Sequence, residues 1–428
     1  MSELQRTIGL GQGVAMYVAA VMGPGVLVLP ALAAETAGPL AMAAWLLLIV
    51  VSLPICLSFA GLARAYPEAG GFQVYVERAF GPSWGAVSGW LFFLQWPSAV
   101  VAVTCLIAGP YGASLFGLGR AGQFAIGGSL MAVIGLINWL GLKLSARLQV
   151  IVIITIVALM LTAITGAMPH VQAANFHPIA PHGWLAVGTA AIQLFWAFSG
   201  FEAITPLAEE FKDPRRDMRR ASLIALAIVA VVYASLAIAT LGVHAYGAGL
   251  GGQAPFGFMA VATFGGPAAT ITSILAVFVS FGAVNSYTAG TSRLGYAMGR
   301  SERFPRWFGV VDHRFHAPHR ALGVMLLAYA GWFAATYYLR LDLADLFPIS
   351  TSSYIVTYIL SMAAAAKLLT GWGRINAWIG LVSCAVILLF VGAFFAWIGG
   401  VTVACLAYQY VVRRRSRPPA VEVARKAI

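Results

Sequence analysis

The sequence predicts an all-α integral membrane protein, and three observations carry this prediction. Of its 428 residues, 61% are apolar and only 9% are charged, whereas soluble domains contain about 25% charged residues. Apolar runs long enough to cross a bilayer, which takes roughly 20 residues, recur along the chain. Most of the 26 Lys and Arg residues lie in short connections between these runs, as membrane orientation requires. The net charge of +12 therefore indicates membrane orientation and no nucleic-acid partner.

Twelve transmembrane helices are expected in a single unit over residues 1–412, with a basic cytoplasmic tail at 413–428. The four cysteines are isolated in apolar runs without metal-type spacing, so we expect small core residues. Charged connections are expected at 64–72 and 212–220. The helices are placed at about 10–34, 39–63, 85–115, 122–141, 148–167, 184–210, 221–242, 267–298, 321–339 and 346–367, and the last two within 375–411 with a turn near Gly392.

Gly23-Pro24-Gly25 interrupts the first expected helix near mid-membrane depth. Proline lacks an amide hydrogen and glycine permits backbone angles closed to other residues, so an unbroken helix is not expected. Broken backbone in a membrane is tolerated where it lines a cavity or is buried in protein, and the N–H groups of a new half-helix suit a carboxylate. The alternative is a simple proline kink.

A second interruption is expected at Ser199-Gly200 in helix 6, with Glu202 just beyond it. Helices 1–5 (about 10–167) and helices 6–10 (about 184–367) would then form two blocks of opposite orientation. Each block begins with a Gly-interrupted helix, which is the sequence pattern of inverted-repeat transporters. The pairing of the two breaks favours a binding site over a kink.

Several motifs in order support this interpretation. They are Gly23-Pro24-Gly25-Val26 with Pro30; Ala69 to Tyr75 with Phe80-Gly81-Pro82 and Gly89-Trp90; Phe195 to Glu202, continuing through Ala208-Glu209-Glu210 to Asp213-Pro214-Arg215-Arg216; and Arg293, Tyr296-Ala297-Met298, Arg300, Pro305 and Pro318. Together they resemble the amino acid–polyamine–organocation superfamily of secondary transporters. The resemblance covers helices 1–10. It implies a five-plus-five inverted repeat, like that of LeuT, with two additional C-terminal helices.

The resemblance also implies an amino acid held between broken helices 1 and 6. Amides near Gly23, Gly25 and Val26 would bind its carboxylate, and Gly25 would let the substrate approach the backbone. Carbonyls near Trp196, Ala197, Phe198 and Ser199 would bind its ammonium, which agrees with the opposite dipoles of the helix ends. Val21, Met22 and Phe201 complete the expected backbone contacts. Pro24 departs from the small polar residue common in relatives and removes one potential donor.

Three side chains have two interpretations each. Glu202 is a costly carboxylate near mid-membrane, so it either gates transport and senses protons or caps the second half of helix 6. Trp196 is either the aromatic lid over the substrate or a packing residue. Gln95 on helix 3 either lines the pocket or bridges helices.

The sequence says less about which ion, if any, drives transport. Ile156 stands where some proton-coupled relatives have a helix 5 lysine, so that lysine switch is excluded. Helix 8 hydroxyls, among them Ser280 and Thr288, would suit sodium only together with freed helix 1 carbonyls, and such hydroxyls are ordinary in membrane helices. His313, His316 and His319 are expected in a solvated loop and not in a metal site.

The pocket segments favour substrates with neutral, apolar side chains, because no acidic residue except Glu202 and no basic residue lies in them. The chain most resembles the exporter branch for methionine and branched-chain amino acids. The alternatives are an importer or an amino acid/polyamine exchanger. An enzyme would need a convergent catalytic set and a channel a filter-like loop, and the sequence shows neither. No cofactor is expected, proton coupling is open, and the oligomeric state is not indicated.

Loop charge predicts the orientation. With twelve helices and a cytoplasmic N-terminus, every Lys and Arg except Arg120 and Arg340 falls on the cytoplasmic side. We therefore expect both termini in the cytoplasm and the protein in the plasma membrane, which is the inner membrane of a bacterium. Reporter fusions at the C-terminus should be active only as cytoplasmic reporters. An external C-terminus would contradict the twelve-helix topology.

Overall fold

A computed structural model describes residues 8–66, 71–141, 146–202, 205, 211–247, 259, 266–312, 314–315 and 317–415. The described chain is almost entirely helical, which confirms the all-α prediction. Its extended backbone pairs at one isolated bridge, between Ile8 and Phe211. There the Lys212 N–H donates to the Ile8 carbonyl at 2.9 Å, which ties the start of the described chain to the segment that follows helix 6.

The helices follow the expected order. They are α1 (Leu10–Val21), α2 (Leu29–Ala37), α3 (Ala41–Ala65), α4 (Phe72–Phe80), α5 (Pro82–Val101), α6 (Gly109–Ser114), α7 (Arg120–Trp139), α8 (Ala146–Ala167), α9 (Ala186–Phe195), α10 (Pro214–Gly242), α11 (Gly266–Arg300), α12 (His319–Tyr338), α13 (Leu343–Leu368), α14 (Trp372–Leu388) and α15 (Phe395–Arg415). A π-helical stretch, Ala102–Ala108, joins α5 to α6. The turn between the last two helices contains Gly392 with φ 63°, as expected.

Eight segments of the described chain are long and apolar enough to cross a membrane: Leu29–Ala65, Pro82–Ser114, Arg120–Trp139, Arg216–Gly242, Thr270–Arg300, His319–Tyr338, Leu343–Leu368 and Gly392–Val412. Three shorter apolar helices, Ile154–His170, Ala186–Phe198 and Trp372–Leu388, lie at further expected spans. The chain is therefore a multi-pass membrane protein. The count of twelve crossings stays a prediction.

Two stretches outside the expected helices are helical in the structure. Residues 72–80 form α4, which is bounded by Gly71 and Gly81 with φ of 58° and 89°. The charged segment from Lys212 is mostly helical, because Pro214 occupies the first turn and the Asp213 side chain accepts the Arg216 N–H. The last helix continues to Arg415, beyond the expected end at 411.

The core positions the interrupted first helix. Helix α1 packs against α10, α10 packs against α3, and α2 packs against α9. All four cysteines are buried and free, in agreement with the core role expected for them. His319 stacks on Trp139 at 4.3 Å, whereas His313 and His316 lie outside the described residues.

Candidate functional site

The first helix breaks at the expected place. Helix α1 ends at Val21, Gly23 is extended with φ −78° and ψ 178°, and a 3₁₀ turn runs over Pro24–Leu27 before α2 begins. Pro24 occupies the first position of that turn, where its missing N–H leaves no intrahelical bond unmade. The proline therefore starts the second half of the helix instead of kinking a continuous one.

The second break depends on a glycine. After α9, a 3₁₀ turn covers Trp196–Phe198, Ser199 is extended, and Gly200 has φ 131°. A Cβ atom on Gly200 would lie 2.5 Å from the Ala20 carbonyl oxygen. Only glycine combines this φ with so close an approach, so the two breaks meet backbone to backbone at Gly200 and Ala20.

A cavity lies between the two breaks. Residues from both breaks and from helices α5, the π-helical stretch, α11 and α13 surround it. They are Ala20, Val21, Gly23, Pro24, Gly25, Val26, Gln95, Trp96, Ala99, Val100, Val103, Trp196, Ala197, Ser199, Ala283, Val284, Tyr287 and Tyr354. None of these lining residues is charged.

The structure brings eight of the twelve residues proposed from the sequence to this cavity: Val21, Gly23, Gly25, Val26, Gln95, Trp196, Ala197 and Ser199. The other four, Met22, Phe198, Phe201 and Glu202, are buried but do not line it. Phe198 turns away because its ring packs on Trp45 and Tyr233, at 5.8 and 5.2 Å.

The sequence analysis did not identify the cavity residues on α5, the π-helical stretch, α11 and α13, with the exception of Gln95. Trp96, Val100 and Val103 recur at helical spacing, as do Val284 and Tyr287. The same spacing marks any buried or lipid-facing stripe, so the signal was present but could not identify a cavity. The packing of helices that are distant in sequence decides which face of each lining helix turns toward the breaks.

Fewer backbone amides of the first break are available to a ligand than expected. Gly23 N–H already donates to the Val21 carbonyl at 2.9 Å, and Val26 N–H donates to the Gly23 carbonyl at 3.3 Å. No backbone acceptor for the Gly25 N–H is found among the described residues. The Gly23 and Val26 amides are therefore both used within the break, the first of them in a tight turn centred on Met22 (φ −81°, ψ 65°), and Gly25 is left as the open amide.

The carbonyls of the second break are partly occupied. The Trp196 carbonyl accepts the Ser199 hydroxyl at 2.7 Å. The Ala197 carbonyl accepts the hydroxyl of Tyr233, on α10, at 3.1 Å. For Phe198 and Ser199, no donor to the carbonyl is found within the described chain. The freed acceptors thus exist, but two of the four carry protein donors.

Trp196 covers the first break. A Cβ atom on Gly25 would lie 2.1 and 2.4 Å from the Cζ3 and Cε3 atoms of Trp196. The indole also packs on Phe347, with ring centroids 5.2 Å apart, and its Nε1 has no hydrogen-bond partner among the described residues. The missing side chain of Gly25 therefore makes room for Trp196 in this conformation, and not directly for a substrate as expected from the sequence.

Glu202 lies behind the second break. It is 1% exposed, and its Oε2 accepts the Gly200 N–H at 2.9 Å and the hydroxyl of Tyr358 on α13. Its Oε1 has no partner in the described part of the chain. The carboxyl group thus ties the open backbone of helix 6 to α13, and it has one unsatisfied oxygen at which a proton can reside.

Two residues that line the cavity each have a buried polar atom without a hydrogen-bond partner among the described residues. These atoms are Oε1 of Gln95, whose side chain is 2% exposed, and Nε1 of Trp96. A buried polar atom without a hydrogen bond costs about 1–3 kcal/mol. A polar ligand or a water molecule that reached these atoms would therefore gain one acceptor and one donor.

Comparisons with known proteins agree with this geometry. The profile of the family described as amino acid permease matches residues 8–412. The chain is 35% identical over 396 residues to the uncharacterized amino acid permease YecA of Bacillus subtilis, covering 92% of each chain. It is 32% identical over 394 residues to the L-methionine/branched-chain amino acid exporter YjeH of Escherichia coli, covering 92% of this chain and 93% of that relative.

A third relative is more distant. The chain is 26% identical over 336 residues to the branched-chain amino acid permease BcaP of Bacillus subtilis, covering 74% of this chain and 72% of the relative. The profile and all three relatives are permeases or exporters, not enzymes. The chain therefore belongs to the amino acid permease family of the amino acid–polyamine–organocation superfamily.

Proposed function

We propose that the protein carries L-amino acids with neutral, apolar side chains, namely methionine, leucine, isoleucine and valine, across the membrane by alternating access. The observation that carries this proposal is the cavity between the two breaks, which has no charged lining residue. A charged substrate side chain would lose its hydration there without gaining a counter-charge. Aliphatic and aromatic lining from Val100, Val103, Val284 and Trp96 suits an apolar side chain.

The two polar ends of the substrate match the two breaks. The open Gly25 N–H stands at the start of a half-helix, where the dipole favours a carboxylate. The carbonyl end of α9, at Ala197 and Ser199, favours the ammonium group. Trp196 then acts as the lid, since it lines the cavity together with Gly25 and its ring lies directly against the Cα atom of Gly25.

We infer export as the direction, supported by the similarity to YjeH over nine-tenths of both chains. Import or amino acid/polyamine exchange is the alternative, and the permease BcaP supports it. Proteoliposomes loaded with radiolabelled leucine, with a pH or sodium gradient imposed in either sense, separate these modes.

The same proposal includes an inverted repeat over residues 10–167 and 184–367, with both termini in the cytoplasm. The positions of the two breaks, each in the first helix of its block, support the repeat. The charge distribution supports the orientation.

Proton coupling is proposed at Glu202. The titratable groups recorded next to it within the described chain are the tyrosines Tyr287, Tyr354 and Tyr358. No basic side chain is recorded among these neighbours. A carboxyl group in such a place changes its charge by exchanging a proton, and this exchange would alter the bonds that fix Gly200 to α13.

The substrate profile is directly testable. Methionine, leucine, isoleucine and valine should each compete with labelled leucine. Arginine, lysine and glutamate should bind at least about 100-fold more weakly, because an unpaired buried charge costs several kcal/mol. Equilibrium competition in detergent or proteoliposomes measures this, and arginine or glutamate as the tightest competitor would overturn the proposal.

The contact between Gly25 and Trp196 predicts a sharp effect of one methyl group. Gly25→Ala should displace the indole and lower leucine flux at least about tenfold, since overpacking costs about 1–3 kcal/mol. The intrinsic tryptophan emission should change with it. Gly331→Ala, on an exposed face of α12 with no atom within 4 Å of the new Cβ, is the matched control and should leave both signals unchanged. Normal flux in Gly25→Ala would remove the lid from the mechanism.

Glu202→Gln should abolish most of the pH dependence of flux. Glutamine can still accept the bonds from Gly200 and Tyr358 but cannot exchange a proton. Substrate should therefore bind at every pH, with flux independent of pH.

Glu35→Gln provides the control for this variant, because Glu35 also accepts a backbone N–H, that of Gly247 at 2.9 Å, but from an exposed position. Its pH profile should match that of the unmodified protein. If Glu202→Gln lowers thermal stability and leaves the pH profile intact, Glu202 is a structural cap. Leucine flux and thermal unfolding, both measured against pH, distinguish the two roles.

A further inference from the structure

Tyr233 connects the two breaks, although it is on neither of the broken helices. It lies on α10, is completely buried, and packs edge-on against Trp45 and Phe198 at 5.0 and 5.2 Å. Its hydroxyl is 3.1 Å from the Val21 carbonyl oxygen at the end of α1. It is also 3.1 Å from the Ala197 carbonyl oxygen in the second break. One side chain thus contacts the freed backbone of both broken helices.

The hydroxyl has one proton for two acceptors. A phenol donates a single hydrogen bond, whereas each carbonyl oxygen has two lone pairs. The Val21 oxygen also accepts the Gly23 N–H at 2.9 Å. When the Tyr233 proton lies toward Val21, the Ala197 oxygen loses this donor. The hydroxyl and the two carbonyls therefore lack one donor. The carbonyl left without it lies at the break after α9, where the ammonium group of a substrate is expected.

Val21 and Ala197 both line the cavity, and Tyr233 does not. A ligand ammonium and the tyrosine therefore approach the carbonyls from different sides. The ammonium has three N–H donors, so it can satisfy the Ala197 oxygen while the tyrosine proton turns fully toward Val21.

We propose that Tyr233 is a positioning residue for the substrate ammonium group: it holds the Val21 and Ala197 carbonyls in register before binding and yields the Ala197 oxygen when the ammonium arrives. This inference rests on the proposed amino acid site. It implies that a ligand must bring a group with several N–H donors, such as a primary ammonium, to the cavity.

The test compares Tyr233→Phe with Tyr329→Phe. Tyr329 is a second buried tyrosine, whose hydroxyl lies 3.0 Å from the Thr104 hydroxyl, away from the breaks. Loss of the Tyr233 hydroxyl should weaken leucine binding about tenfold and raise KM by a similar factor, with maximal flux changed less than about threefold. Tyr329→Phe should leave leucine affinity within about twofold of the unmodified protein.

Hydrogen exchange provides a readout that does not depend on the substrate. In Tyr233→Phe, peptides covering residues 18–29 and 194–202 should both exchange faster, whereas neither should change in Tyr329→Phe. If the unmodified protein binds no neutral amino acid, the proposed function fails, and exchange alone decides whether Tyr233 couples the breaks. Unchanged exchange at either break, or unchanged leucine affinity in a protein that binds leucine, would overturn the positioning role.

Discussion

The structure depends on satisfying backbone groups that two broken helices leave open inside a membrane. In hydrocarbon no water is present to hydrogen-bond a free N–H or C=O, and each buried unpaired group costs about 1–3 kcal/mol. Helices from elsewhere in the chain supply the partners. The Tyr233 hydroxyl lies within hydrogen-bond distance of the Val21 and Ala197 carbonyls. The Gly200 N–H donates to the Tyr358 hydroxyl and to the carboxyl group of Glu202.

This arrangement explains how open backbone and a binding cavity coexist. Tyr233 and Tyr358, which do not line the cavity, hold the breaks, while Gly25 keeps an amide without a backbone acceptor among the described residues and the end of α9 keeps partly free carbonyls. The site can thus offer opposite dipoles to the two ends of an amino acid without charged side chains. The proposed preference for neutral substrates rests on this same absence of charged lining residues.

The two breaks are also mechanically linked. Gly200 touches the backbone of Ala20, and Trp196 fills the space over Gly25. A movement of helix 6 therefore has to move the first break or separate from it. Glu202 and Tyr358 connect this joint to α13, so a change of charge at one carboxyl group can alter how the joint is held. The proposed proton coupling would act through these contacts.

The sequence by itself determined the all-helical membrane class, the order of the apolar helices and the location of both breaks, because hydropathy, Gly and Pro act locally along the chain. It also placed eight residues of the cavity. It missed α4, which begins after Gly71 at the end of the expected connection, and the early start of α10, which Asp213 caps within the charged segment. Only the tertiary structure decided that Gly23 N–H is used, that Trp196 covers Gly25, and that tyrosines from α10 and α13 complete the breaks. The Gly23 bond is local and depends on the turn at Met22. The other contacts join residues distant in sequence, and helical spacing alone does not say which face of a helix another helix will cover.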